Sequence, residues 1–152
     1  MLDERRVLAK IDELDGYLAE LRAVAPENLK EYGRIEKKRS CERLLQLGIE
    51  CAIDICRILV SGLRLGLPAD ENDVFEKLNK KGILSSAMTR LLRQMRGFRN
   101  ILVHEYASVD DELVFQYIKT RLRDFEKLRK EILKILTRLG NKHRGRGSGI
   151  NN

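Results

Sequence analysis

The chain has 152 residues, enough for one domain, and 43% of them are hydrophobic, which is enough to fill a core. Two prolines, no tryptophan and only four Tyr and four Phe suit an all-helical protein better than a β one. The formal net charge of +7 favours anionic partners, nucleic acid first among them, and says nothing about the fold. The odd cysteine count (Cys41, Cys51, Cys56) excludes a paired disulfide framework. With no C-x-x-C pair or accompanying histidine, it also gives no metal-ligand set. These cysteines read as small core residues of a reduced compartment. The charged opening Met1-Leu2-Asp3-Glu4-Arg5-Arg6 predicts no secretory leader. Glu50, Asp54, Arg57 and Arg64 break the most apolar stretch, so no membrane span is expected and the reading is a cytoplasmic protein.

Four long helices and one short one are predicted in chain order. In the first, about 3 to 25, Ile11, Leu14, Leu18, Leu21 and Ala25 recur at alternating steps of three and four, and Pro26 ends it. The second, about 34 to 65, carries two apolar rows. Leu45, Gly48, Ala52, Ile55 and Leu59 form one, and Leu44, Leu47, Cys51 and Ile58 belong to the other. A helix wet on one side needs only one row, so burial on two sides is expected, by the chain's own bundle and by a second subunit. A short helix over 70 to 80 starts on Asp70 as cap, with Asp73 in its first turn. The third long helix starts near Ser85 and reaches about 105, with Met88, Leu91, Met95, Phe98 and Leu102 on its core stripe. The last, about 110 to 139, holds Val114, Ile118, Phe125, Leu128, Ile132, Ile135 and Leu139 on one stripe that only Arg121 interrupts. The fold class is therefore an all-α antiparallel four-helix bundle with an additional short helix, over 1–139. Residues 140–152 read as a flexible basic tail.

The chemistry concentrates in Arg99-Asn100-Ile101-Leu102-Val103-His104-Glu105-Tyr106. Apart from His143, His104 is the only histidine. At about 100° per residue, Asn100 and His104 share one helical face, Arg99 and Tyr106 share another, and Arg99 lies about 140° around from His104. The arginine's long side chain, or an unwinding helix end near 105, has to close that gap. RNA brings its own nucleophile, the 2′-hydroxyl. Its attack on the adjacent phosphate needs a base, an acid at the leaving 5′-oxygen, and positive charge on the phosphate. An imidazole, ordinarily titrating at about pH 6.5, suits the proton transfers. A guanidinium can bond two phosphate oxygens at once. Asn100 can orient substrate or imidazole, and Tyr106 can donate to phosphate or stack on a base. One histidine cannot be acid and base together, so a second His104 from a partner subunit would complete the set. Glu105, Asp110 and Asp111 read as a helix end and a cap, so no metal site and no cofactor are expected.

The string Gly97-Phe98-Arg99-Asn100-Ile101-Leu102-Val103-His104-Glu105-Tyr106 resembles the signature of the HEPN superfamily, and more narrowly of HepT-type toxins of prokaryotic HEPN–MNT toxin–antitoxin pairs. The similarity extends through Cys41 to Gln46, Glu50 to Asp54 and Leu78 to Leu84, and covers about residues 1 to 138. The resemblance implies a helical homodimer and a metal-independent endoribonuclease, with Arg99 and His104 catalytic and Asn100 assisting. It implies a cognate minimal nucleotidyltransferase antitoxin that transfers AMP from ATP onto Tyr106, placing phosphates and adenine where RNA must bind. Asp54 matches an acidic position of the family behind the catalytic side chains. Two other readings stand beside it: a non-catalytic helical module that partners a nucleotidyltransferase, and a nucleic-acid binder acting through the basic tail.

Overall fold

A computed structural model describes residues 2–105 and 107–147. The described residues form helices and connections, with no strand among them. The helices are α1 (Glu4–Val24), α2 (Leu29–Tyr32), α3 (Ile35–Gly62), α4 (Glu71–Lys80), α5 (Ser86–His104), α6 (Asp111–Thr120) and α7 (Arg123–Gly147). None is long and apolar enough to cross a membrane.

The starts of α1, α2, α4, α5 and α6 are set by short polar side chains that satisfy free backbone N–H groups. Asp3 accepts from the N–H of Arg6 at 3.2 Å, Asn28 from Glu31 at 2.8 Å and Asp70 from Asp73 at 2.7 Å. Ser85 accepts from Met88 at 3.1 Å and Asp110 from Glu112 at 3.0 Å. The expected caps at Asp70 and Ser85 are both in place.

Contacts along the rods give their directions. Leu2 lies against Gly62, the Lys10 carbonyl accepts from Cys51 Sγ at 3.1 Å, and the Val24 carbonyl accepts from Lys37 Nζ at 3.3 Å, so α1 and α3 run antiparallel. Arg22 pairs with Glu126 at 2.7 Å and Asp15 with Arg129 at 3.3 Å, which sets α7 antiparallel to α1. Ser85 bonds Glu131 while Gln94 bonds Arg121, which sets α7 antiparallel to α5. The expected stripe residues Ile11, Leu14, Leu18 and Leu21 of α1, and Met88, Met95, Phe98 and Leu102 of α5, are buried in the shared core.

Both apolar rows of α3 find cover within the chain. Leu45, Gly48, Ala52, Ile55 and Leu59 are buried, and so are Cys51 and Ile58 of the second row, with only Leu44 and Leu47 half-buried. α1, α4 and α5 all pack against this helix. The two rows therefore need no second subunit to explain them. Cys41, Cys51 and Cys56 are buried, unpaired core residues, and burial pushes the thiols of Cys51 and Cys56 up to about 12.

Two features differ from the expected elements. α2 is an unexpected four-residue helix that seats the fully buried Tyr32, its ring 6.1 Å from that of Phe115. The last long helix is two. Arg121 caps α6, its Nε donates to the buried carboxylate of Asp124 at 2.8 Å, and an Nη bonds Gln94 on α5. The one charge that interrupted the apolar stripe marks the break. α7 then runs on to Gly147, past the boundary expected at 139, while residues 148–152 of the expected tail lie outside the described residues.

Candidate functional site

The motif occupies the last turns of α5. Phe98 and Leu102, one turn apart, are buried, and the Phe98 ring stacks on Tyr117 of α6 at 4.2 Å and 7°. These anchors fix the rotation of the helix and so the faces given to its polar residues. α5 stays regular through His104, and the N–H of Glu105 still donates to the Ile101 carbonyl at 2.9 Å. No unwinding brings Arg99 and His104 together. His104 and Val103 are exposed and Asn100 is half-buried, while the side chain of Arg99 is only 14% exposed.

The guanidinium of Arg99 is held at two points. Its Nε donates to Oδ1 of Asn100 at 3.0 Å, and an Nη donates to Oε1 of Glu71, the first residue of α4. The asparagine thus links the arginine's line on the helix to the face that also carries His104, one turn further on. Glu71 is a hub. Oε1 also accepts from Arg96 Nε at 3.0 Å, and Oε2 accepts from Arg57 Nη2 of α3 at 2.9 Å. Burial by itself would raise the pKa of this carboxyl, but the Arg99 charge, the bonds from Arg96 and Arg99, and the Arg57 charge more than offset it. They hold the group below the usual carboxylate range. Its place in the first turn of α4 adds the favourable end of the helix dipole.

Asp54 stands at the far side of this cluster. Its Oδ1 accepts from Arg57 Nη1 at 3.2 Å, and its Oδ2 lies 3.8 Å from Lys10 Nζ. Among the described residues it is linked to Arg99 through Arg57 and Glu71. The structure therefore brings Arg99 and Asn100 into contact, sets His104 on Asn100's face, and leaves Asp54 two side chains away. Tyr106 lies outside the described residues.

Glu71, Arg96 and Arg57 were not singled out from the sequence. Glu71 follows a helix cap and looks like an ordinary first-turn acid, and its partner Arg99 is 28 positions away, so no local period points to it. Other acids near the motif have structural partners. Glu105 caps α5, Asp110 caps α6, and Asp111 pairs with Lys38 at 2.7 Å. Among the described residues no three His, Cys, Asp or Glu side chains are gathered as for a metal ion.

Comparison with known proteins identifies the family. The family model for ribonuclease HepT-like proteins matches residues 11–132, from within α1 to the middle of α7. The chain belongs to the ribonuclease HepT-like family. It is 32% identical over 117 residues to the tRNA nuclease HepT of Aphanizomenon flos-aquae, covering 76% of this chain and 80% of that protein. It is 34% identical over 134 residues to a putative RNase of Archaeoglobus fulgidus, covering 88% and 90%. Among solved structures, the tri-AMPylated Shewanella oneidensis HEPN toxin in complex with its MNT antitoxin has a TM-score of 0.78 and 24% identity, covering 84% of this chain and 96% of that one. At that identity the likeness is one of fold. The HepT-like bundle is thus shared, and Arg99, Asn100 and His104 all fall inside the matched span.

Proposed function

We propose that this HepT-like chain is the endoribonuclease toxin of a toxin–antitoxin pair, acting in the cytoplasm, and that it cleaves RNA with Arg99, His104 and Asn100. The observation that carries the reading is the bond from Arg99 Nε to Asn100 Oδ1 at 3.0 Å, which couples the guanidinium to the face bearing His104. A guanidinium held in a fixed direction is prepared for the negative charge that builds on a phosphate as the 2′-oxygen attacks. An exposed imidazole one turn from Asn100 is accessible to the ribose.

In this reaction the 2′-hydroxyl loses its proton to one imidazole as its oxygen bonds phosphorus. The bond to the 5′-oxygen breaks, and that oxygen takes a proton from a second imidazole. The products are a 2′,3′-cyclic phosphate and a 5′-hydroxyl. The two imidazoles are the His104 side chains of a homodimer, because one chain offers a single histidine in the motif. Neutral charge balance on the phosphate comes from Arg99 rather than from a metal ion, and the engagement of Glu71, Asp110 and Asp111 with arginines, a helix cap and Lys38 supports this.

The antitoxin partner is a minimal nucleotidyltransferase that adds AMP to Tyr106. The phenolic oxygen attacks the α-phosphate of ATP, and pyrophosphate leaves. Each AMP brings a negative charge and an adenine two residues from His104, which repels and obstructs RNA. That one similar solved structure is a tri-AMPylated toxin in complex with an MNT antitoxin supports this partner. The deciding experiment incubates the purified protein with total RNA in EDTA. Cleavage by the wild type and its loss in both His104→Ala and Arg99→Ala is the expected result. Cleavage that persists in both variants, or is absent from the wild type, overturns the reading.

A further inference from the structure

Three arginines converge on one carboxylate beside the motif, and the reaction above names only one of them. Arg57 comes from α3 and Arg96 and Arg99 from α5, while Glu71 comes from α4, so the cluster ties three helices together at one point. Glu71 is 17% exposed and its two oxygens are both engaged, Oε1 by Arg96 and Arg99 and Oε2 by Arg57. Three cations this close repel each other, and without a buried anion between them Arg99 would swing toward water.

We propose that Glu71 is a positioning residue for the ribonuclease reaction: it fixes the Arg99 guanidinium for an RNA phosphate and assembles Arg57 and Arg96 with it as a cationic cluster. The inference rests on the ribonuclease reading of Arg99. Of the five N–H groups of a guanidinium, Arg99 gives its Nε–H to Asn100 and an Nη2–H to Glu71, among the described residues. Its other Nη hydrogens remain for an incoming anion. Two fixed points define the plane of the fork, so a phosphate meets donors already in line and not a swinging side chain. Charge completes the argument. Three guanidiniums against Glu71 and the Asp54 that also holds Arg57 still leave the cluster cationic, and Glu71 partly screens the field felt by RNA while it orders the donors.

These two effects of the carboxylate have opposite signatures, which makes the role testable. Removing its charge disorders Arg99 but raises the local positive potential. In Glu71→Gln, kcat for a short RNA substrate should fall tenfold or more while KM stays level or drops. Glu71→Asp, which keeps the charge on a shorter arm, should recover part of kcat, and it serves as the test should the glutamine variant not fold. The Nε–Hε resonance of Arg99 in a ¹⁵N spectrum, sharp in the wild type, should broaden or move to the position of solvated arginines in Glu71→Gln. A kcat within twofold of wild type, or a fall in kcat matched by a rise in KM and an unmoved Arg99 resonance, overturns the proposal. Should the wild type cleave no RNA, the ribonuclease reading fails, and the resonance alone then decides whether Glu71 orders Arg99.

Discussion

The substitution Arg99→Lys separates what the site needs from charge and what it needs from shape. Lysine keeps the positive charge but offers one compact ammonium in place of a planar fork. In the native site the fork spans Asn100 and Glu71 at once, through Nε at 3.0 Å and an Nη. A lysine can keep at most one of these. The stability loss is small, because Glu71 retains Arg57 at 2.9 Å and Arg96 at 3.0 Å and is never left unpaired. One charged hydrogen bond at a partly solvated edge is worth about 1–1.5 kcal/mol here, or a fall in Tm of about 2–6 °C for a chain of this size. The catalytic loss is larger. Removing one ordered donor from a developing oxyanion slows enzymes by about 10²–10³, or about 3–4 kcal/mol of barrier. RNA binding should hardly move, since each phosphate neutralised on a single strand contributes about 0.7 to the salt slope and the charge is unchanged. The assay is single-turnover cleavage of a defined RNA in EDTA, beside binding measured over a salt series and a thermal melt. If Arg99→Lys cleaves within about threefold of wild type while Arg99→Ala is inactive, a point charge suffices and the argument from the fork is refuted.

Four further outcomes follow from the geometry. His104 is exposed, so His104→Gln should leave stability within about 0.5 kcal/mol of wild type while cutting cleavage by about 10²–10⁴; a melt that collapses with activity would mean a structural role. With ATP and the cognate antitoxin, the wild type should gain mass in AMP units and Tyr106→Phe should not, and a mass gain in that variant would refute the assignment. The Glu71 carboxyl is held below its ordinary range, so its contribution to stability is complete above about pH 4.3 and is lost as pH falls through the lower folded value. The Tm gap between wild type and Glu71→Gln should therefore be steady near neutral pH and close in acid; a gap that widens in acid contradicts the sign. A Cβ at Gly48 would sit 3.9 Å from Leu14 Cδ1 and 4.0 Å from the Phe125 ring, so Gly48→Ala fits and should add about 0.5–1 kcal/mol, raising Tm by about 1–4 °C.

What could be read from the sequence was what the helix period encodes. The rows through Leu14 and Leu18, and through Met95, Phe98 and Leu102, are core rows because a buried stripe must recur every three or four positions. Asp70 and Ser85 announced their helices by short-range capping. The break at Arg121 was invisible to the same logic, since Ile118, Phe125 and Leu128 keep the spacing of one continuous stripe on both sides of it. Its signal was the lone charge, and the partners that explain it, Asp124 and Gln94, include one on another helix. α2 escaped because four residues carry less than two turns of period, and its reason to exist is the burial of Tyr32 against Phe115, a contact across the fold.

The same division runs through the site. Arg99, Asn100 and His104 lie within two turns of one helix, so their relation is fixed by about 100° per residue and is available before any fold is known. That geometry also posed a difficulty, the wide angle between Arg99 and His104, and offered two remedies. The helix does not unwind before His104; Asn100 takes the arginine's Nε, which is a local contact between neighbours. What holds the other end of the guanidinium is not local. Glu71 reaches Arg99 because the chain turns back after Gly62, with Arg64 at φ 55° and Gly66 at φ 99° in the left-handed region, and returns α4 alongside α3 and α5. A motif of eight residues thus names the groups proposed to touch the phosphate. The carboxylate paired with Arg99 depends on a turn some thirty positions upstream, and only the folded chain places it.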